Sequence, residues 1–440
     1  MKRTLHAAAL TITAASALAL STGYGWSASE VTANPNAKVD YSGTIQVLTK
    51  FGLQVLSPYF VDIAQEYEKL HPGVKVELIQ ESDDSVKDKT KTLVASNSLT
   101  DVYFSWTGSW GYNFVRGHRA VDLTPVIGPD TEWGKTLVPA AVEAFQYNGK
   151  DYGIPLYLDA KFMGYNKAIF QKLGLAVPQT LGDLMTACDT IKKAGIQPIS
   201  LGNKEAWPVV HYAGQLLAYN VPRATLEQDF DPKTAKFDDP GYVAALQQYK
   251  DLSDHCMDGA AVNGTSYASA FQQFANGKSA MYYQEIIEFD QSTAADGGLK
   301  PSDFGFFILP APKDAKGDPK AVEGAPEGYM INTASKNIPL AIDFMKFVTS
   351  KEHGQILSAP PYGQPSATIG GASADKMSPA VVEGLAALKS ASYLMPWLDT
   401  ANSARTANAW LAGLQALAGG SMTPEQVMDK VKEASKAEAK

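Results

Sequence analysis

Apolar residues recur along the chain in two alternating patterns, one spaced as in a helix and one as in a strand. After an apolar run at 44–49, Ser57 and Pro58 supply an N-cap and a first-turn proline, and apolar residues follow at helical spacing. The whole pattern predicts strands at 44–49, 74–78, 101–106, 152–157, 196–201, 280–284 and 304–309, and helices at 57–70, 85–96, 181–194, 242–256, 267–276 and 339–349. Strands that alternate with helices indicate an α/β fold with a mostly parallel sheet.

The N-terminus has the three parts of an export signal. Basic residues at positions 2 and 3 precede an uncharged, Ala- and Leu-rich stretch at 7–20, and small residues follow up to position 29. The apolar stretch is shorter than the roughly 20 residues that span a bilayer. We therefore expect residues 1–29 to be a signal peptide that is cleaved between Ser27 and Ser29.

The chain contains only two cysteines, Cys188 and Cys256, and neither lies near the cleavage region. A lipoprotein anchor requires a cysteine at the mature N-terminus, so we expect an unanchored periplasmic protein. Both cysteines fall on the apolar faces of predicted helices, and an oxidising compartment allows a disulfide between them. The alternative is a pair of buried free thiols, and the sequence leaves both open.

Size and composition indicate a two-domain protein with a neutral ligand. Removal of residues 1–29 from the 440-residue chain leaves 411, which is more than one typical core accommodates. The net charge is −8 without a Lys/Arg cluster, which argues against binding to nucleic acid or anionic membranes. Charged residues are 19% of the chain and aromatic residues 10%, so aromatic side chains are available to line a pocket.

Signatures of phosphate-binding loops, dinucleotide-binding turns, zinc proteases, EF-hands and serine hydrolases are missing from the sequence. The six histidines lack ligand spacing. We therefore expect no metal and no cofactor.

The polar and aromatic residues that follow predicted strands are the candidates for a binding site, because ligands of open α/β sheets bind beyond the carboxyl ends of the strands. Sugars need aromatic rings for their C–H faces and mixed donors and acceptors for their hydroxyls. Residues 310–326, rich in Pro, Gly and Lys, are predicted to be a surface loop. The candidate segments are Lys50-Phe51, 106–110, 157–159, Gln284-Glu285, 202–207, 324–328 and 397–399.

Four stretches together resemble the bacterial extracellular solute-binding proteins of the sugar type, the family that includes maltose-binding protein. They are "GTIQVLTKFG" with "FVDIAQEYEKLHPGVKVEL" in 42–78, "TDVYFSWTGSWGYNFVRGHRAVDLT" at 100–124, "NGKDYGIPLYLDAKFMGYNKAIFQKLGL" with "PQTLGDLMTACDTIKKAG" in 148–195, and "FQQFANGKSAMYYQ" at 271–284 followed by "FGFFILPAPK". Their order and spacing fit nearly the whole mature chain.

The resemblance implies a two-lobed fold with hinge crossovers and a ligand cleft between the lobes, each lobe a mostly parallel sheet flanked by helices. We assign residues 30–157 and 303–357 to lobe I, and residues 158–302 and 358–440 to lobe II. The resemblance also implies a receptor without catalytic activity that delivers its ligand to the permease subunits of an ABC importer. We expect the receptor to be a monomer.

The residues of this chain that match the family's cleft positions are Lys50, Phe51, Trp106, Ser109, Trp110, Asp159, Trp207, Gln284, Glu285, Gly324, Glu327, Trp397 and Asp399. Many relatives carry a tryptophan shortly after the strand that precedes Gln284, whereas here the sequence continues Gln284-Glu285-Ile286-Ile287-Glu288. Polar and aliphatic side chains thus replace the flat aromatic surface on which a sugar unit would stack. With one stacking surface fewer, the site favours a mono- or disaccharide or a sugar alcohol over a long oligosaccharide.

Two other functions remain open at this stage. In an exported carbohydrate hydrolase or lyase, Asp159 and Glu285 would serve as acid and base if they lay about 5 to 9 Å apart. In a receptor for a non-sugar solute such as a polyamine, Asp159, Glu285, Glu327 and Asp399 would converge on the cationic ligand.

Overall fold

The computed structural model describes residues 30–293 and 298–438, so the predicted signal peptide lies outside the described residues. The strands are β1 (Gly43–Thr49), β2 (Val74–Gln80), β3 (Val102–Trp106), β4 (Gln146–Tyr147), β5 (Lys150–Asp151), β6 (Ile154–Asn166), β7 (Gln197–Ile199), β8 (Ser279–Glu285), β9 (Phe304–Phe307), β10 (Ala321–Ile331) and β11 (Tyr393–Met395). The helices are α1 (Ser57–Leu70), α2 (Asp83–Ala95), α3 (Ser109–Arg116), α4 (Thr124–Ile127), α5 (Pro139–Glu143), α6 (Lys167–Lys172), α7 (Leu181–Lys193), α8 (Trp207–Asn220), α9 (Arg223–Phe230), α10 (Pro240–Cys256), α11 (Tyr267–Ala275), α12 (Phe289–Ser292), α13 (Ile338–Val348), α14 (Lys351–Ser358), α15 (Pro379–Lys389), α16 (Leu398–Ala401), α17 (Ala404–Ala418) and α18 (Pro424–Glu438).

The predicted first β-α-β unit is confirmed. Strands β1 and β2 pair in parallel from Gly43 opposite Val74 to Thr49 opposite Gln80. Helix α1 begins at Ser57 with Pro58 in its first turn and buries the aromatic residues of its inner face. The local signals suffice here because a proline in the first turn and helical apolar spacing act within a few residues of each other.

Two long strands join the two halves of the molecule. The strand order is β2-β1-β3-β10-β6-β8-β7, with β11 on β10 and β9 on β6. The N-terminal half of β6 pairs with β10, and its C-terminal half pairs with β8 and β9. The α/β class is confirmed, but the sheets are mixed rather than mostly parallel, because β6 and β10 run antiparallel to most of their neighbours.

The buried apolar residues form two cores, one on each side of the crossing strands. The lobe I core surrounds β1, β2 and β3 and includes Phe60 and Tyr329. The lobe II core surrounds α7, α8, α10 and α17 and includes Tyr249 and Trp410. Phe304 belongs to the first core and Leu309 to the second, so the chain passes between the lobes within this stretch. The residue boundaries assigned to the lobes above stay a prediction.

The predicted surface loop at 310–326 is wrong in its second half. Strand β10 begins at Ala321 and is buried along its whole length. Its glycines permit close strand contact, since a Cβ at Gly324 would lie 2.6 Å from the carbonyl oxygen of Asp159 and one at Gly328 would lie 2.1 Å from that of Ile154. Glycine at these positions therefore reflects tight packing against β6 rather than a turn.

Cys188 on α7 and Cys256 on α10 form a disulfide, with their Cα atoms 5.1 Å apart. Both residues are buried in the lobe II core. The bond therefore ties two helices of one lobe together and does not restrain the lobes relative to each other.

Candidate functional site

A small cavity of about 40 Å³ lies between the lobes, next to the crossing of β6 and β10. That volume accommodates only a few water molecules, so the lobes are closed around it. Its lining comes from both lobes and comprises Asp83, Asp84, Lys87, Trp106, Trp207, His211, Glu285, Glu327, Trp397, Asp399 and Thr400.

Lys50 is the centre of the charged network on the lobe I side. Its Nζ lies 2.6 Å from Glu327 Oε2 and 2.9 Å from Asp83 Oδ1, and Tyr157 donates its hydroxyl to the same Glu327 oxygen at 2.7 Å. Burial alone lowers the pKa of Lys50, but Asp83 and Glu327 outweigh it and hold that pKa well above its usual value. Lys50 is therefore a fixed cation that neutralises the acids around it.

Lys161 has the corresponding position on the lobe II side. Its Nζ lies 3.0 Å from Glu285 Oε1 and within 5.3 Å of the ring centres of Trp207 and Tyr267. Tyr267 donates its hydroxyl to Glu288 at 2.7 Å. Burial, and then the nearby Glu285 carboxylate, raise the pKa of Glu288 to about 7. The segment 284–288 thus supplies the two carboxylates of a cluster whose lysine comes from β6 and whose tyrosine comes from α11.

Tryptophans form the walls of the cavity. Lys87 on α2 lies with its Nζ 4.7 Å from the ring centre of Trp106 and 2.5 Å from Asp399 Oδ2. Trp397 packs edge-to-face on His211 with the ring centres 4.9 Å apart. Three indole rings, those of Trp106, Trp207 and Trp397, therefore surround the same small space as several charged groups.

His211 lies behind the tryptophans and contacts Glu323, with 3.2 Å between Nδ1 and Oε1. Burial lowers the pKa of His211 well below its usual value and raises that of Glu323 well above its own. The two groups therefore form a neutral hydrogen-bonded pair rather than an ion pair. His211 also contributes to the lining of the cavity.

Asp159 lies in the middle of β6, not at the end of a short strand as the sequence suggested. Its Oδ1 accepts the backbone N–H of Ala160 at 2.8 Å, and within the described residues its buried Oδ2 has no partner. Burial, followed by the nearby Glu285 and Glu327, raises the pKa of Asp159 well above its usual value. Burial and the neighbouring acids thus disfavour the ionised form of Asp159.

The predicted site residues divide into two groups. Those that line the cavity or pair with its lining are Lys50, Trp106, Trp207, Glu285, Glu327, Trp397 and Asp399. The side chains of Phe51 and Gln284 lie in the protein interior, where Phe51 packs edge-on to Phe60 and Gln284 accepts the hydroxyl of Ser292. Ser109 and Trp110 lie on α3 behind Trp106, and Gly324 lies within β10.

Five lining residues were not predicted from the sequence, namely Asp83, Asp84, Lys87, His211 and Thr400. The first three lie on α2, directly after the carboxyl end of β2. The rule that ligands bind beyond strand ends would have reached them had it been applied to the second strand. Thr400 follows the predicted segment 397–399 by one residue.

Within residues 30–293 and 298–438, no group of three or more His, Cys, Asp or Glu side chains could hold a metal ion. In the same part of the chain, no helix combines the length and apolarity needed to cross a membrane.

The sequence of this chain is similar to those of known proteins. The sequence profile of the bacterial extracellular solute-binding protein family matches residues 54–355. An ABC transporter extracellular-binding protein of Pyrococcus horikoshii is 24% identical over 328 residues, 70% of this chain and 70% of the relative. The diacetylchitobiose binding protein of Streptomyces coelicolor is 24% identical over 322 residues, 71% of each chain.

The fold of a solved structure matches this chain over most of its length. A solved chitin oligosaccharide binding protein superimposes with a TM-score of 0.82 at 20% identity, covering 91% of this chain and 100% of the other. The sequence match and the structural similarity thus both extend over most of the chain. This chain therefore belongs to the bacterial extracellular solute-binding protein family.

Proposed function

We propose that this protein is the extracellular receptor of an ABC importer, and that it binds a mono- or disaccharide or a sugar alcohol between its lobes. The observation that carries the proposal is the convergence of Trp106, Trp207 and Trp397 with paired lysines and carboxylates on one interlobe cavity. Indole rings pack against the C–H faces of sugars, and fixed charged groups satisfy hydroxyls. The carbohydrate ligand of the Streptomyces relative supports the same ligand class.

The ion pairs already formed in the cleft favour a neutral ligand over a polyamine. Of the five carboxylates that line the cavity, four are ion-paired: Asp83 and Glu327 with Lys50, Glu285 with Lys161, and Asp399 with Lys87. The fifth, Asp84, accepts the indole N–H of Trp207. A polyamine would have to displace these lysines from their carboxylates, whereas a sugar exchanges hydrogen bonds with the pairs and leaves them in place.

We further propose where the protein works, that it is a monomer, and that it does not alter its ligand. The protein works as a monomer, free in the periplasm, with residues 30–157 and 303–357 in one lobe and the remainder of the mature chain in the other. It leaves its ligand chemically unchanged and passes it to the permease subunits in the membrane. The match to extracellular-binding proteins of ABC transporters supports this assignment.

Thermal-shift measurements on the mature chain test the proposal. The panel is glucose, galactose, maltose, diacetylchitobiose, sorbitol and spermidine, each at millimolar concentration, because ligand that binds only the folded state raises the melting temperature by mass action. We expect at least one carbohydrate or polyol to stabilise the protein and to be recovered intact. Stabilisation by spermidine alone, or cleavage of a glycoside, would contradict the proposal.

A pair of variants assigns the binding to the cleft. Trp207→Ala removes a cavity ring at the surface-accessible rim and should abolish the ligand-induced shift. Tyr112→Ala removes an aromatic ring from α3 that packs on Tyr147 away from the cavity. The shift should survive in Tyr112→Ala, and equal loss in both variants would place the ligand elsewhere.

A further inference from the structure

Two polar contacts in the cleft join the lobes directly, an ion pair and a hydrogen bond. The ion pair has 2.5 Å between Nζ of Lys87 on α2 and Oδ2 of Asp399 on α16, whose Leu398 packs in the lobe II core. The indole Nε1 of Trp207, the first residue of α8, donates to Oδ1 of Asp84 on α2 at 3.1 Å. Helix α2 packs on the lobe I core through Val86, whereas α8 packs on the lobe II core through Val209 and Val210. By contrast, Lys161 and Glu285 lie on neighbouring strands of lobe II, and Lys50 and Asp83 both belong to lobe I.

The turn that leads into Trp207 is strained and is held by hydrogen bonds. The preceding Ala206 has a φ of 66°, a left-handed conformation that costs a residue with a Cβ about 1 kcal/mol. The turn is fixed by Asn203, whose Oδ1 accepts the N–H of Val209 at 3.2 Å and whose carbonyl accepts the N–H of Ala206. Such strain persists only where surrounding contacts impose it, and it is concentrated at functional positions.

The ring and the N–H group of the Trp207 indole contact different parts of the cleft. Its ring is 4.3 Å from the ring of Tyr267 and close to Lys161, within the cavity wall proposed to contact the sugar. Its N–H points across the cleft to the other lobe. A single side chain therefore connects ligand contact to lobe closure.

We propose that Asp84 is a closure residue of this receptor, the lobe I acceptor to which the indole N–H of Trp207 binds when the lobes are closed. The role of the Trp207 ring in this scheme rests on the proposed function, but the bond itself does not. Without the acceptor, the ratio of closed to open protein should fall about fivefold, as expected for the loss of one ordinary hydrogen bond.

Asp84 is surrounded by other acids. Asp83 lies beside it on α2, Glu205 faces it from the turn before α8, Glu285 faces it from β8, and Lys87 lies one turn further along α2. Partial burial and the carboxylates Asp83, Glu205 and Glu285 raise the pKa of Asp84 to about 6, although the bond from Trp207 lowers it. The indole proton should therefore sense the ionisation of Asp84 near neutral pH, which provides a specific signature.

The test records the ¹⁵N–¹H indole resonances of the full mature protein between pH 4.5 and 8, with no sugar present. The Trp207 resonance is identified by its loss in Trp207→Phe. We expect it to titrate with a midpoint of about 6, to stop titrating in Asp84→Asn, which keeps an acceptor oxygen, and to move upfield in Asp84→Ala. The indole of Trp133 donates to the hydroxyl of Thr349 and serves as an internal control that should not respond.

Two further comparisons complete the experiment. Asp88→Asn removes the same charge from an exposed position of α2 and should leave the Trp207 resonance unchanged. The radius of gyration from solution scattering should rise in Asp84→Ala and Trp207→Phe but not in Asp84→Asn or Asp88→Asn. A Trp207 resonance indifferent to pH and to Asp84→Ala would overturn the proposal. Because no sugar is used, this failure is distinct from failure of the carbohydrate screen.

Discussion

Replacement of Lys50 by methionine should destabilise the protein strongly, because Lys50 is the buried partner of two acids. Its side chain is 5% exposed, and that of Glu327, 2.6 Å away, is 3% exposed. Removal of one partner of a buried ion pair leaves the other charge uncompensated, which costs about 3–5 kcal/mol. The second acid, Asp83, is 38% exposed and adds less than about 1 kcal/mol.

The assay is urea unfolding followed by circular dichroism, with three comparisons. Lys50→Met should lower the free energy of unfolding by at least about 3 kcal/mol. Lys50→Met/Glu327→Gln should recover part of that loss, because the buried carboxylate is removed together with its cation. The matched control is Lys75→Met, which breaks a 3.0 Å pair with Glu68 in which the lysine is 64% exposed, and should cost less than about 1 kcal/mol. Equal effects of Lys50→Met and Lys75→Met would refute the assignment of Lys50 as a buried charge centre.

Three further predictions concern separate parts of the structure. Glu288 binds its proton more tightly when folded, so the free energy of unfolding should fall as pH rises from about 4.5 to about 7, by at most about 3 kcal/mol; Glu288→Gln should flatten that part of the pH profile, and an unchanged slope would contradict it. Ala206→Gly should raise the melting temperature by relieving a left-handed residue, while Ala386→Gly, in the middle of α15, should lower it; the reverse order would show that Ala206 is unstrained. The disulfide spans 68 residues, so Cys188→Ala/Cys256→Ala should reduce the unfolding free energy by up to about 4 kcal/mol, and a change below about 1 kcal/mol would show that the bond contributes little.

Much of the fold could be predicted where local signals decide it. The proline in the first turn and the apolar spacing of α1 act within one or two helical turns, and the helix begins at Ser57 as they predict, although its N-cap is Leu56 and not Ser57. The prediction of a loop at the start of strand β10 was wrong because contacts distant in sequence decide the structure there. Its Gly- and Pro-rich sequence is typical of a loop, and only its neighbours β3 and β6, more than 150 residues earlier in the chain, make it a buried strand.

The candidate site was predictable in position but not in orientation. Gln284 and Glu285 are adjacent at the end of β8, and alternation sends their side chains to opposite faces. Glu285 meets Lys161 in the cleft, while Gln284 turns into the interior. Which of the two faces the cleft depends on the pairing of β8 with β6, and no residue near them in sequence encodes that choice.

The central claim is that a carbohydrate binds between the lobes against the tryptophan walls. A crystal structure of the mature chain, grown with the sugar or polyol that gives the largest thermal shift, tests it most directly. We expect one ligand per chain, in contact with Trp106, Trp207 and Trp397. We expect its hydroxyls to hydrogen-bond to the lysine–carboxylate pairs of Lys50, Lys87 or Lys161. Ligand density outside the interlobe cleft, or a cleft that holds a polyamine in place of the lysine pairs, would contradict it.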